Sequence, residues 1–336
     1  MLKQNLIKDL LPSENFHGTL LVKSISHGLT KNKKPFASIF LQDPSGQING
    51  KLWDTTPTNL EFKAGDIVEI HARVENFRNE CQFQFESIDP IDQDDPRNKV
   101  ELYLQYAPIP SDEMNGMFDR FLNYIQSNNP NYALIAREIL AKTPYDNTFL
   151  TQPAAKAMHH TFVGGLAYHT YRMVQHAYTL TNLYPSLNGP LLCTATLIHD
   201  AGKMMELSGY LDTDYTAYGN LVGHILIVSD WIHEICINHQ INPYQEDIVL
   251  LKHCILAHHG ILEHGSPTTP KIPEAYALHN IDLLDARMTS FEEELQNIAP
   301  GAQSGRLFNL DNNPIYHASD NNRSFLDKDL DETKLN

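Results

Sequence analysis

His199 and Asp200 stand side by side at the end of an apolar stretch, Leu191-Leu192-Cys193-Thr194-Ala195-Thr196-Leu197-Ile198. Neighbouring residues at a helix end can approach one cation from two sides, the imidazole through nitrogen and the carboxylate through oxygen. Residues of the same types recur at long intervals in other apolar stretches: His169 before the pair, then His224, the doublet His258-His259 and Asp282 after it. Of the 17 histidines, 13 fall between residues 159 and 279. A single buried histidine is more often a hydrogen-bonded core residue than a ligand. Here that explanation would require several unpaired polar groups in one core, each costly to bury. Imidazole and carboxylate donors together suit Mn, Fe, Ni or Zn, so the pattern points to a metal centre in a helical bundle.

Such a centre needs helices to carry its donors. Apolar periodicity predicts helices over 155–183 for His169, 190–202 for His199 and Asp200, 220–239 for His224, 245–259 for His258 and His259, and 272–292 for Asp282. Two more are expected earlier, over 112–126 and 132–140. His176, two turns after His169, falls on the same face and reads as packing or support rather than ligation.

The N-terminal part has a different period. Residues 16–27, 35–42, 46–53, 66–74 and 81–88 read as five short strands, with a short segment at 56–62 between the third and fourth, which is the pattern of an OB-type barrel. Alternation sends Ile48, Gly50 and Leu52 to one face and Gln47, Asn49, Lys51 and Trp53 to the other. Trp53 on a polar face suits a base-stacking platform; packing under a loop is the alternative. The loop over 28–34 places Lys31, Lys33 and Lys34 together, and the loop between the fourth and fifth strands offers Phe77 and Arg78. With Lys51 and Trp53 these form the candidate single-strand-binding set, because those two loops flank the groove of an OB barrel.

The expected fold is therefore multidomain, a small all-β OB-type barrel followed by an all-α bundle. Residues 1–90 form the barrel, 91–110 a polar, proline-bounded linker, 111–300 the helical domain, and 301–336 an Asp- and Asn-rich extension expected to become disordered past Ser319. The net charge of -16 argues against avid duplex binding. Residues 1–90 carry 10 Lys and Arg against 11 Asp and Glu, so nearly all of the acidic excess lies beyond them. No 18-residue apolar run and no signal-peptide pattern is evident, so cytoplasm is the expected location and no membrane partner is expected. Cys81, Cys193, Cys236 and Cys254 form no CxxC, and three of them lie in apolar helical runs, which favours reduced, buried thiols.

A histidine, a His-Asp pair and a distant aspartate resemble the HD superfamily of metal-dependent phosphohydrolases, and His224 with His258-His259 resembles its two-metal branch. The resemblance extends to His159-His160-Thr161-Phe162-Val163-Gly164-Gly165-Leu166-Ala167-Tyr168-His169-Thr170, His199-Asp200-Ala201-Gly202-Lys203, Gly223-His224, His258-His259-Gly260 and Asn280-Ile281-Asp282-Leu283-Leu284-Asp285. Together these motifs are similar to the YhaM family of 3'-5' exoribonucleases, which joins an OB domain to an HD domain. The resemblance implies one metal held by His169, His199, Asp200 and Asp282, and a second held by Asp200 as a bridge with His224, His258 and His259. Asp285 competes with Asp282 for the last position; the family's ligand is the first aspartate of the segment. Ala201 and Tyr168 depart from the family pattern, which bears on fine specificity rather than on ligation.

Two divalent ions roughly 3.5–4 Å apart neutralise phosphodiester charge and acidify a bridging water, so no nucleophilic side chain is required. Mn2+ is the expected metal, with Mg2+, Fe2+, Ni2+ and Co2+ as alternatives. The catalytic candidates are His199, Asp200, Lys203 and His160. Lys203 could hold a phosphate oxygen or serve only the helix dipole, and His160 or His159 could contact phosphate or protonate the leaving oxygen. The expected activity is metal-dependent 3'-5' exonucleolytic hydrolysis of single-stranded RNA, with single-stranded DNA as an alternative substrate, releasing nucleoside 5'-monophosphates. Two rivals are a small-nucleotide phosphohydrolase, which has no need of a strand-binding barrel, and a non-catalytic single-strand-binding protein, which has no need of a complete ligand set. The sequence leaves the oligomeric state open.

Overall fold

The computed structural model describes residues 4–77, 80–146, 148–156, 160–307 and 310–319. Arg78, His159 and the expected disorder past Ser319 lie outside these residues. Five strands, β1 (Asn15–Leu29), β2 (Pro35–Asp43), β3 (Gly46–Trp53), β4 (Ile67–Phe77) and β5 (Glu80–Pro90), close into a barrel in the order β1-β2-β3-β5-β4. β3 and β5 run parallel and the other neighbouring pairs antiparallel. β1 serves two partners, β4 through residues 15–21 and β2 through residues 21–29. The register shifts between Val22 and Ser24, which leaves Lys23 as an extra residue. A bulge of this kind bends a strand and re-aims a side chain. The inward set, including Leu20, Val22, Ile39, Leu41 and Ile70, packs the barrel core. The alternation read on β3 is present, with Ile48 and Gly50 buried and Lys51 and Trp53 exposed.

The helical part comprises α1 (Ser111–Asn128), α2 (Pro130–Leu140), α3 (Gly165–Leu183), α4 (Gly189–Ile198), α5 (Lys203–Glu206), α6 (Ala217–Val222), α7 (His224–Asn238), α8 (Glu246–Ala257) and α9 (Pro273–Leu295). One apolar core joins α1 to α4 and α7 to α9. Two helices differ from the sequence expectation. The one expected over 155–183 begins only at Gly165, and the one expected over 220–239 divides into α6 and α7. Both breaks fall at glycines with φ of 79°, Gly164 and Gly223, a left-handed conformation that interrupts a helix. Ahead of the start of α3, Ala154 donates its N–H to His160 O at 3.0 Å.

Residues 91–110 connect the two parts, and their polar, proline-bounded sequence reads as a tether. In the structure much of the segment is packed. Tyr103 is fully buried, its hydroxyl 2.7 Å from Thr19 Oγ1, and its carbonyl accepts from Gln42 Nε2 at 3.1 Å. Leu104 is buried beside Leu21 and Ile67 of the barrel. The bulged Lys23 reaches the helical part, donating to Tyr210 O at 2.6 Å. Among the described residues no helix is long and apolar enough to cross a membrane.

Candidate metal centre

α4 is set by Asn188, whose side chain accepts from Leu191 N, and by a proline in its first turn. It is buried along nearly its whole length and ends at Ile198, so His199 and Asp200 emerge at a fixed depth in the core. His169 comes from the second turn of α3, His224 begins α7, His258 and His259 follow α8, and Asp282 lies in the middle of α9. Five chain segments thus supply seven side chains to one place.

The orientation of the imidazoles follows from their outer nitrogens. His199 Nδ1 lies 2.9 Å from Thr196 O, His258 Nδ1 2.7 Å from Ile255 O and His259 Nδ1 2.9 Å from His264 O. A carbonyl oxygen only accepts, so each Nδ1 must carry a proton and Nε2 is the nitrogen that faces inward. Carboxylates take the same part for the other two: Glu206 binds His224 Nδ1 through both oxygens at 3.0 Å, and Asp285 binds His169 Nδ1 at 2.7 Å. This is the support that orients metal-bound imidazoles.

Asp200 divides the inward nitrogens. Its Oδ2 lies 3.4 Å from His199 Nε2 and 3.8 Å from His169 Nε2, while its Oδ1 lies 3.3 Å from His224 Nε2 and 3.7 Å from His258 Nε2. Asp282 Oδ1 is 3.3 Å from His169 Nε2. Two donor clusters result, His169 with His199 and Asp200, and His224 with His258 and His259, and a third group, His160 with His169 and Asp285, lies on the outer side of His169. His199 Nε2, His224 Nε2, His258 Nε2 and Asp200 Oδ1 are buried without a hydrogen-bond partner. Orphaned donors of one kind converging on one point are what a divalent cation needs, and the residues present fit one.

The electrostatics agree. Burial keeps His259 low, at about 4, helped by the neighbouring His258 and His224, and burial also lowers His258, so both rings are neutral at pH 7. Burial would raise Asp200, but the Lys203 ammonium at 2.7 Å and His199 hold its carboxyl well below the usual range. Burial opposes charge on His169, yet Asp282 and Asp285 lift it to about 9. The cavity beside these groups, about 170 Å³, is lined by Ala154, Ala155, His169, Asp200, Lys203, His259, Asp282 and Ala286.

An HD domain model matches residues 166–287. The 3'-5' exoribonuclease YhaM of Bacillus velezensis is 39% identical over 297 residues, covering 88% of this chain and 92% of that protein. This chain belongs to the YhaM family. Two solved domains of replication protein A from Methanococcus maripaludis, one a crystal structure and one an NMR structure of its second OB-fold domain, align with 26% of this chain and 94% of theirs at 24% and 25% identity, with TM-scores of 0.23 and 0.22. Membership of the YhaM family, with an HD domain and these donor clusters, makes the chain a hydrolase dependent on divalent metal.

In this YhaM-family chain Asp285 and Asp282 meet different nitrogens of His169, Asp285 its Nδ1 at 2.7 Å and Asp282 its Nε2 at 3.3 Å. Asp285 sits on the far side of His169, where it also meets His160 Nε2 at 3.1 Å and Arg172 Nε at 2.6 Å. His160, a catalytic candidate from the sequence, lies on that same outer side. It is 1% exposed, bonded to Asp285 and 3.1 Å from Thr289 Oγ1, and it does not line the cavity. The backbone at His160 is left-handed (φ 58°), and its ring meets Asp285 behind His169. Lys203 lines the cavity, and its ammonium is taken by Asp200 rather than left to helix carbonyls. His176 is exposed and supports nothing at the centre.

Sequence reasoning missed Glu206 and Arg172. The signal for Glu206 was an acidic residue in a short apolar segment just after Lys203. That segment presses against α7 at Gly202, where a Cβ would collide with the His224 carbonyl. Arg172 lies one turn beyond His169 and pairs with both Asp285 and Glu292.

On the barrel, Trp53 is 60% exposed, so it does not pack under a loop. Its ring is 5.6 Å from that of Phe36, and Lys51 Nζ lies 5.2 Å and 5.6 Å from the two centroids. Lys31, Lys33 and Lys34 are exposed in the loop beside it, Lys34 being 3.6 Å from Asp54, and Phe77 is 52% exposed at the end of β4.

Proposed function

We propose that this chain is a metal-dependent 3'-5' exoribonuclease that shortens single-stranded RNA and releases nucleoside 5'-monophosphates. The observation that carries the reading is the Asp200 carboxylate with one oxygen toward each of two clusters of histidine nitrogens, those of His199, His224 and His258 being buried without a partner. His169, His199, Asp200 and Asp282 would hold one ion, and Asp200, His224, His258 and His259 the other. Five imidazoles among seven ligands favour Mn2+, Fe2+, Ni2+ or Co2+ over Mg2+, which prefers oxygen, and Mn2+ is the metal proposed. Bound ions would supply the positive charge that lets a phosphodiester accept a water oxygen. The protein's part is to hold Asp200 ionised, to keep the histidine nitrogens facing inward, and to present Lys203 at the cavity wall, where its ammonium can pass from Asp200 to a non-bridging phosphate oxygen.

The barrel argues against a small-nucleotide phosphohydrolase, since an exposed Phe36–Trp53–Lys51 surface serves a strand and not a mononucleotide. The division of labour proposed places strand affinity in residues 1–90, through Lys31, Lys33, Lys34, Lys51, Trp53, Phe77 and Arg78, and chemistry in residues 111–300. Cytoplasm is the proposed location. Digestion of 5'-labelled RNA with Mn2+ should give a descending ladder and 5'-monophosphates, and chelator should stop it. Efficient cleavage of circular single-stranded RNA would show an endonuclease instead.

A further inference from the structure

We propose that the RNA strand reaches the metal centre through the cleft between the barrel and the helical part, with Phe40 as a base-stacking residue on the barrel wall. The inference rests on the exoribonuclease reading above and adds to it a route, a stacking residue and a reason for single-strand selectivity. The cleft is about 1130 Å³. Ser24, Ser26, Phe40 and Gln47 line its barrel side, and Lys156, Thr161, Asp212, Asp214 and Glu293 its helical side.

The barrel wall of the cleft continues into the aromatic surface at the far end of the strands. In the registers of β1, β2 and β3, Ser24 faces Phe40 and Phe40 faces Asn49; Ser26 faces Ser38 and Ser38 faces Lys51; Gly28 faces Phe36 and Phe36 faces Trp53. The period of two places Phe40, Ser38 and Phe36 on one outer face, and small residues of β1 keep one margin of that strip low. Phe40 is 38% exposed although core residues flank it on both sides. Four residues separate it from Phe36, about 13 Å along the strand. That distance is well beyond the rise of about 3.4 Å between stacked bases, so the two rings would hold different nucleotides.

The linings of the cleft and of the metal cavity follow one another along two elements, which is where the proposed route would join them. Ala154 and Ala155 line the cavity, and the next residue, Lys156, lines the cleft. On α9, Asp282 and Ala286 line the cavity, and Glu293, two turns further on, lines the cleft. The bulged Lys23, bonded to Tyr210 O, fixes the spacing of the two walls.

Charge makes the passage one-sided. Exposed Lys63 stands on the barrel side, where it can follow one phosphate backbone. Asp212, Asp214 and Glu293 stand opposite, and Lys156 is paired with Asp214 at 2.6 Å. A duplex would bring its second phosphate chain against those carboxylates. One strand can pass with its phosphates turned to the barrel.

The test compares wild type, Phe40→Ala and Lys63→Glu on a 20-nucleotide unstructured RNA and on bis-p-nitrophenyl phosphate, both with Mn2+. Either substitution should raise KM for the RNA, about 5- to 100-fold for Phe40→Ala if a base stacks there. Turnover of the small diester, which reports the metal centre alone, should hold. Wild-type KM for RNA in both variants overturns the route. A wild-type enzyme that hydrolyses the diester but not RNA overturns the exoribonuclease reading itself, and the route falls with it. Should Phe40→Ala fail to fold, cross-linking of 4-thiouridine RNA to the wild-type protein decides: adducts on residues 24–27, 40 or 47 support the route, and adducts confined to other faces overturn it.

Discussion

Glu206 makes no contact with the cavity, yet the second cluster of ligands leans on it. Its two oxygens hold His224 Nδ1 at 3.0 Å, and Oε1 also accepts from His224 N at 3.1 Å. Burial would raise the Glu206 carboxyl, but these bonds lower it, so it is a carboxylate at neutral pH and its charge strengthens the imidazole as a donor. Glu206→Gln keeps an oxygen for both nitrogens and loses the charge. Charge-assisted hydrogen bonds are roughly twice as strong as neutral ones, so the expected loss is about 1 kcal/mol, or roughly 5-fold in affinity for the ion beside His224. Glu206→Ala removes all three contacts and should weaken that ion about 100-fold. The ion beside His169 and Asp282 should be little changed, because Glu206 does not touch those residues. Calorimetric Mn2+ titration should therefore become biphasic, with two ions separable by affinity, while circular dichroism stays that of the wild type. Two ions bound to folded Glu206→Ala as tightly as to wild type would refute the reasoning.

Asp200→Ala removes the residue shared by both clusters, so hydrolysis should vanish and bound metal should fall by mass spectrometry, and His199→Ala should act in the same direction; full activity in either variant would exclude the bridged arrangement. His169 is raised to about 9 without metal, so at pH 7 it carries a proton that an arriving cation must displace. Apparent metal affinity should rise with pH up to about 9, and titration at pH 7 in buffers of different ionisation enthalpy should reveal about one proton released at this site; no buffer dependence would show that His169 binds no ion. In the metal-free protein the same raised value adds stability that is complete below about 6.5 and lost as pH rises through 9. Trp53→Ala should weaken RNA binding by about 1–3 kcal/mol in a fluorescence anisotropy titration, and unchanged affinity would remove its ring from the strand path.

The converging His and Asp residues were legible because chemistry restricts metal donors to few residue types and the apolar helices around them announce burial. His199 and Asp200 could be read from an apolar run ending in two polar residues, and the barrel from alternation such as that of Ile48 and Trp53. What supports the ligands was much less visible. Asp285 competed with Asp282 in the sequence, because a residue that meets the outer nitrogen of His169 and one that meets its inner nitrogen have the same type and nearly the same place on a helix. The proximity of His160 to the Gly164-Gly165 turn was readable, and its bond to Asp285 behind His169 was not. Phe40 was hidden for the opposite reason, since a phenylalanine in a β-strand reads as core unless strand register is known.

The seam at Tyr103 and Lys23 bears on whether the two parts are separable at all. Cutting the chain near residue 100 would expose Tyr103 and Leu104, both now covered by contacts with the barrel, and strip Thr19 and Gln42 of their partners. A barrel module and a nuclease module joined by a loose tether would melt in two steps and could be exchanged between proteins. A shared apolar seam instead makes each half part of the other's solvent shield, so heat should meet one cooperative unit, and the distance from strand platform to cutting site becomes a fixed dimension of the molecule.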